Sequence, residues 1–286
     1  MHASLQAEID HAQVVFSPVE RLDGRLDAGV LLVCDHASNL LPPGYGSLGL
    51  PRETLERHIA YDIGAAWLTR RLARLLDAPA ILSTFSRLLI DPNRGADDPT
   101  LVMRLSDGAV IPGNARIDAA EIARRRQLYW APYRAAIAQT IDAMSAARAA
   151  PAIVSIHSFT PFWRTAARPW KVGVLWDSDP RLAAPLLADL ARESDLAADE
   201  IGDNEPYDGA LAGDTIDDVA TARRLANALI EVRQDLIADQ DGAETWAERF
   251  ARLLPPILAR PEMREPADWG SRAMHKTQQR PAAARA

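Results

Sequence analysis

Two stretches of the chain run apolar and then stop at a histidine. "GVLLVCD", residues 29–35, delivers His36, and "PAIVSIH", residues 151–157, ends on His157; Ser38 and Ser158 follow close behind. Neutral imidazoles are the usual nitrogen ligands of zinc. A single histidine at a strand exit is more often a hydrogen-bonded structural residue, but two in the same structural place favour a shared metal. A catalytic zinc takes three protein ligands and leaves one position for water. Asp62 in "HIAYDIGAAW" is the preferred third ligand, because it stands beside Ile59 and Ile63 near the sheet-facing side of an expected helix, where an acid needs a partner. Asp35 and His58 are the alternatives, and Asp35 also suits a carboxylate that orients an imidazole. Asn39, three residues past His36, offers only a neutral amide.

Two further segments carry chemistry. In "FSRLLIDPNRG", residues 85–95, Arg87, Asn93 and Arg94 supply guanidinium forks and an amide, groups that grip a carboxylate or stabilise an oxyanion. The same residues also fit two surface arginines and an Asp-Pro turn around Asp91. In "ALIEVRQDLI", residues 228–237, Glu231 lies within an apolar run with Arg233 two residues on. Glu231 either alternates out to water or is a buried general base beside a cation, placed to activate a metal-held water.

The elements that must position these residues are strands and helices taking turns. Strands are expected at 29–35, 79–85, 151–157, 170–176 and 227–232. The spacing of Leu55, Ile59, Ile63, Trp67, Leu68, Leu72 and Leu75 predicts a helix over 51–77, begun by Pro51. A second is expected over 118–149, bent at Pro132, with others over 180–195 and 244–258. This alternation implies a single three-layer α/β/α domain, its sheet mixed and mostly parallel, with the ligand site beyond the carboxyl ends of the strands. Residues 95–116 and "GDNEPYDG", residues 202–209, are expected as loops, the first lying over the sheet end. Asn204 and Tyr207 in the second fit either a substrate contact or a simple turn.

Composition narrows the function classes. With 286 residues, 48% of them hydrophobic, the chain can bury a large core. A formal charge of −7 argues against nucleic acid or an anionic membrane as partner and favours a small molecule. No window approaches the ~20 apolar residues of a membrane span, and no secretory signal pattern opens the chain. Cys34, the single cysteine, fits a reducing cytoplasm and reads as a buried, inert thiol. The catalytic domain is expected over 1–262, followed by a mobile basic tail over 263–286 that holds Arg272, Lys276, Arg280 and Arg285.

Taken in order, "CDHASNLLP", "HIAYDIGA", "SRLLIDPNR", "SIHSFTP" and "IEVRQDLI" resemble the N-formylglutamate amidohydrolase family. The resemblance implies a zinc-exopeptidase-like fold, one Zn²⁺ per chain and hydrolysis of an N-formyl or short N-acyl amino acid, N-formyl-L-glutamate giving formate and glutamate in the name reaction. It further implies His36 and His157 as metal ligands, Glu231 as the water-activating base and Arg87 as the group polarising the carbonyl. Asn93, Arg94 and Arg233 would bind the substrate carboxylate. Asn39 departs from the glutamate ligand of related deacylases, which leaves the third position to Asp62, with Asn39 and Asp35 as alternatives. Two rivals stand beside this reading: an amidase or carboxypeptidase for larger N-acyl substrates or peptides, and a non-catalytic binding protein on the same scaffold.

Overall fold

Apolar runs with no polar alternation belong to strands covered on both faces, and the two that deliver the histidines are buried along their whole length. The computed structural model describes residues 16–147 and 150–273. Its central sheet has seven strands: β1 (Val19–Leu22), β2 (Val30–Cys34), β3 (Ala80–Ser83), β4 (Ala152–Phe159), β5 (Val172–Leu175), β6 (Ile201–Asp203) and β7 (Asn227–Arg233). Their spatial order is β1-β3-β2-β4-β7-β5-β6. β3, β2, β4 and β7 run parallel, while β1 and β5 pair antiparallel with their inner neighbours. The sheet is therefore mixed and mostly parallel, as the alternation implies.

Helices cover both faces. α1 (Ala65–Leu76), α4 (Pro180–Leu190) and α6 (Gln240–Leu258) pack on one side, where Leu68, Leu72, Leu186, Phe250 and Leu254 meet Leu32, Val154 and Ile230. α3 (Ala131–Ala147) and the short α5 (Thr215–Val219) cover the other, where Tyr133, Ile137 and Ile216 meet Leu31, Val33 and Ile153. Among the described residues no helix is long and apolar enough to cross a membrane.

The structure departs from the expected elements in informative places. The helix expected over 51–77 is instead a single turn, Arg52–Leu55, an irregular stretch, and then α1. Gly64 enforces the break: its φ is 82°, and a Cβ there would lie 1.9 Å from the Ile237 carbonyl oxygen. Trp67, expected on the apolar face, is exposed, and Leu55 and Ile59 join a separate cluster with Leu48 and Leu88. The helix over 118–149 is divided into α2 (Ala119–Arg125) and α3 by a π-helical turn, Arg126–Trp130, just before Pro132. The two outermost strands, β1 and β6, are absent from the sequence reading. Residues 95–116 form the expected loop, with a small hairpin, Leu105–Ser106 against Ala109–Val110. Past residue 262 the packed body continues: Met263 and Ala273 are buried, and Arg272 donates to the carbonyls of Trp176 and Asp177. The rest of the basic segment, 274–286, lies outside the described residues.

Candidate metal centre and active site

Adjacent parallel strands β2 and β4 bring their carboxyl ends together, so the residue just past β2 and the one near the end of β4 become neighbours. His36 and His157 have ring centroids 5.0 Å apart. On the other side of β4, β7 runs parallel in a register that sets Glu231 opposite His157. Asp62 arrives from the irregular stretch before α1, held by a bond from its own N–H to the His36 carbonyl (2.9 Å). It is thus a loop residue and not, as expected, a helical one.

The two imidazoles are arranged alike. Nδ1 of each faces the same oxygen, Asp62 Oδ2, at 3.2 Å from His36 and 2.8 Å from His157. Nε2 of each faces another buried carboxylate: Asp91 Oδ1 at 2.8 Å for His36, and Asp35 Oδ2 at 3.1 Å for His157. Nε2 of each ring is thus anchored on an outer carboxylate, and Nδ1 is the nitrogen turned to the shared centre, where it can bind a metal once it carries no proton. Ligand atoms of His36, Asp62 and His157 all lie within 4.8 Å of one another. Two nitrogens and one oxygen suit zinc, whose tetrahedral ligands, ~2.0–2.1 Å from the ion, stand ~3.3 Å apart. The two imidazole-to-Asp62 spacings, 3.2 and 2.8 Å, lie within about half an ångström of that.

A ring of polar residues fixes this core. Asp35 accepts from Thr215 Oγ1 (2.5 Å) and Ser155 Oγ (3.1 Å). Asp91, fully buried, accepts from Arg87 Nη2 (2.9 Å) and the Asn93 N–H (2.9 Å). Arg87 Nη1 also stands 3.5 Å from Asp62 Oδ1. Burial raises the pKa of Asp35, Asp62 and Asp91, but imidazole hydrogen bonds and the neighbouring positive charges outweigh it and hold all three below the usual carboxylate range. Burial lowers His157, but Asp35 and Asp62 outweigh it and lift the ring well above the ordinary histidine value.

Glu231 has the opposite character. It is 6% exposed, and its Oε2 has no hydrogen-bond partner among the described residues. Burial pushes its carboxyl up to about 7, opposed by the His157 charge and assisted by that of Asp62. An acid poised near neutrality beside a metal-ligand set is equipped to accept and return a proton.

His36, Asp62, His157, Glu231, Arg87, Asn93 and Arg94 all line one cavity of about 560 Å³. Arg94 donates to the Asn93 carbonyl (2.9 Å) and Thr100 Oγ1 (3.3 Å), and is in no ion pair among the described residues. Arg233 does not join them. Its guanidinium pairs with Asp235 (2.8 Å) and reaches the carbonyls of Arg168 and Trp170, outside the cavity lining. Asn39 donates to the Leu55 carbonyl (2.9 Å) and is not in the ligand group. His58 lines the cavity beside Asp107 (3.7 Å) without joining the ligand group. Asn204 supports a turn through the N–H groups of Trp176 and Gly209, whereas Tyr207 lines the cavity. Sequence reasoning missed the use of Asp91, Ser155 and Thr215. Asp91 carried one signal, an acid between apolar "LLI" and a proline with arginines on both sides; Ser155 and Thr215 carried none.

Known proteins share this fold and match along most of this sequence. Residues 28–238 match the family model described as N-formylglutamate amidohydrolase. A crystallised gene product of Agrobacterium tumefaciens, Atu2144, is 33% identical, with a TM-score of 0.78 over 85% of this chain and 96% of that one. The crystal structure of N-formylglutamate amidohydrolase from Ralstonia eutropha JMP134 superposes with a TM-score of 0.65 at 20% identity, over 85% of this chain and 97% of that one, and shows the shared fold. No curated protein matches the sequence.

Proposed function

The chain belongs to the N-formylglutamate amidohydrolase family, and from that premise we propose that it is a zinc-dependent hydrolase of N-formyl or short N-acyl amino acids. The observation that carries this reading is the paired imidazoles, each with Nδ1 turned to Asp62 and Nε2 anchored on a carboxylate. His36, Asp62 and His157 would hold one Zn²⁺. Bound there, the ion would lower the pKa of a water and polarise a carbonyl.

The chain's own residues supply the rest. Asp91 and Asp35 keep the imidazole rings in orientation and tautomer. Glu231, ionisable near neutrality and with Oε2 unpartnered, takes a proton from the attacking water and returns it to the leaving amine nitrogen. Arg87, clamped by Asp91, faces the oxygen on which negative charge develops. Arg94 and Asn93 grip the amino-acid carboxylate, Arg94 having a guanidinium not already committed to an ion pair. The products are a carboxylic acid and a free amino acid.

The test is release of formate and free amine from N-formyl-L-amino acids, glutamate first, by metal-stripped and zinc-restored protein, with Glu231→Gln as control. Zinc-dependent release that disappears in the variant is expected. Stoichiometric zinc binding without release from any N-formyl or N-acyl amino acid would overturn the reaction while leaving the metal site.

A further inference from the structure

The cavity is larger than the family's name substrate needs. It holds about 560 Å³, whereas the roughly twelve non-hydrogen atoms of N-formylglutamate, given the ~30 Å³ of a water molecule each, fill at most ~360 Å³. The surplus has a definite chemistry. Phe159, Trp163 and Tyr207 line one wall, Phe159 from the end of β4 and Trp163 from a hairpin, Phe162–Trp163 against Ala166–Ala167. Their rings surround one guanidinium, that of the buried Arg168, at 5.7, 5.4 and 5.1 Å. Arg168 also donates to the Tyr207 hydroxyl (3.1 Å) and to Thr160 Oγ1 (3.2 Å). The wall is thus tied together from behind, while Trp163 remains 57% and Tyr207 42% exposed at the mouth. Aromatic surface held rigid at a pocket mouth is suited to stacking on an apolar group.

The charges point the same way. N-formylglutamate carries two carboxylates and needs two cationic partners. Arg87 is already committed to Asp62 and Asp91, which leaves Arg94 as the cavity's guanidinium without an acid. The other acids of the lining include Asp107, Asp208 and Asp214, the last of which burial pushes up to about 7. The arginines that pair with the first two, Arg57 and Arg272, are not part of the lining. His58 is kept towards its neutral form by burial. A second substrate carboxylate would meet like charge in a partly desolvated space.

Resting on the hydrolase reading above, we propose that the substrate is an N-acyl amino acid with a single carboxylate and a bulky aromatic group, packed against the Trp163–Tyr207 wall. That group could come from the amino-acid side chain or from the acyl part, and the test separates the two. With zinc-restored enzyme, kcat/KM is measured for N-formyl-L-phenylalanine, N-benzoylglycine and N-formyl-L-glutamate. At least one of the first two should exceed the third by tenfold or more, and Trp163→Ala and Tyr207→Ala should each cut that ratio by tenfold or more. Equal or better turnover of N-formyl-L-glutamate would overturn the substrate class and leave the hydrolase standing. An aromatic preference unchanged in both variants would overturn the role of the wall. No release from any of the three would overturn the hydrolase reading itself, and the substrate class would fall with it.

Discussion

Replacing Glu231 by Gln should separate catalysis from stability in a measurable way. In the metal-free protein, burial raises this carboxyl from its ordinary 4.5 to about 7. A raised carboxyl favours the folded state fully below its unfolded pKa and loses that contribution as pH climbs through the folded one. At ~1.36 kcal/mol per unit, the loss is complete above pH ~8 and amounts to about 3 kcal/mol. Gln is nearly isosteric and cannot ionise, so it escapes the loss. The stability of metal-stripped Glu231→Gln relative to wild type should therefore improve by about 2 kcal/mol between pH 5.5 and 8.5, as measured by urea unfolding at both values. The zinc-restored variant should keep its metal while kcat falls by ~10²–10⁴-fold, the usual worth of a general acid–base group. A stability difference that does not change with pH would refute the desolvated carboxyl. Activity within ~10-fold of wild type would refute the proton-transfer role.

Other outcomes follow from the same geometry. Zinc affinity, measured by chelator competition between pH 6 and 8, should rise about tenfold per pH unit, because Asp35 and Asp62 keep a proton on metal-free His157 that the ion must displace; a flat profile would contradict this. Asp35→Asn should weaken zinc binding by ~10–100-fold, since it disturbs the carboxylate that orients His157. Arg94→Ala should raise KM at least ~10-fold with kcat nearly unchanged if its guanidinium holds the substrate carboxylate throughout. Gly64→Ala should cost at least ~2 kcal/mol and reduce metal retention as well, because the new methyl would displace the backbone that presents Asp62; thermal unfolding with and without zinc reads both effects.

What could be read from the sequence was whatever rested on strand burial. The runs ending at His36 and His157 are apolar because both faces of the sheet are covered, so strand identity and the exit position of each histidine were visible together. Glu231 could be located on a strand, but the choice between outward alternation and burial depended on β7 lying inside the sheet between β4 and β5. Arg233 shows the limit of that reasoning: it shares a strand face with Glu231, yet the chain beyond the strand end supplies Asp235 to capture it. Asp62 reaches the site by a route that helical spacing only partly foretells. Its neighbours Ile59 and Ile63 repeat at helical spacing, but Gly64, in the left-handed region, ends that pattern and turns the acid toward the histidines. The edge strands β1 and β6, four and three residues long, are too short for periodicity to register.

The candidate centre divides its carboxylates into two kinds by environment alone. Asp35, Asp62 and Asp91 each receive imidazole or guanidinium hydrogen bonds and remain ionised despite burial, as the proposed ligand and orienting roles require. Glu231 is buried too, but its Oε2 receives no hydrogen bond among the described residues, and its pKa rises to about 7. Environments that drive neighbouring acids apart are how one site assigns permanent charge to some groups and proton transfer to another. The register sets Glu231 opposite His157, the imidazole that Asp35 and Asp62 hold, and it does so through two parallel strands whose apolar sequences fix their place at the centre of the sheet.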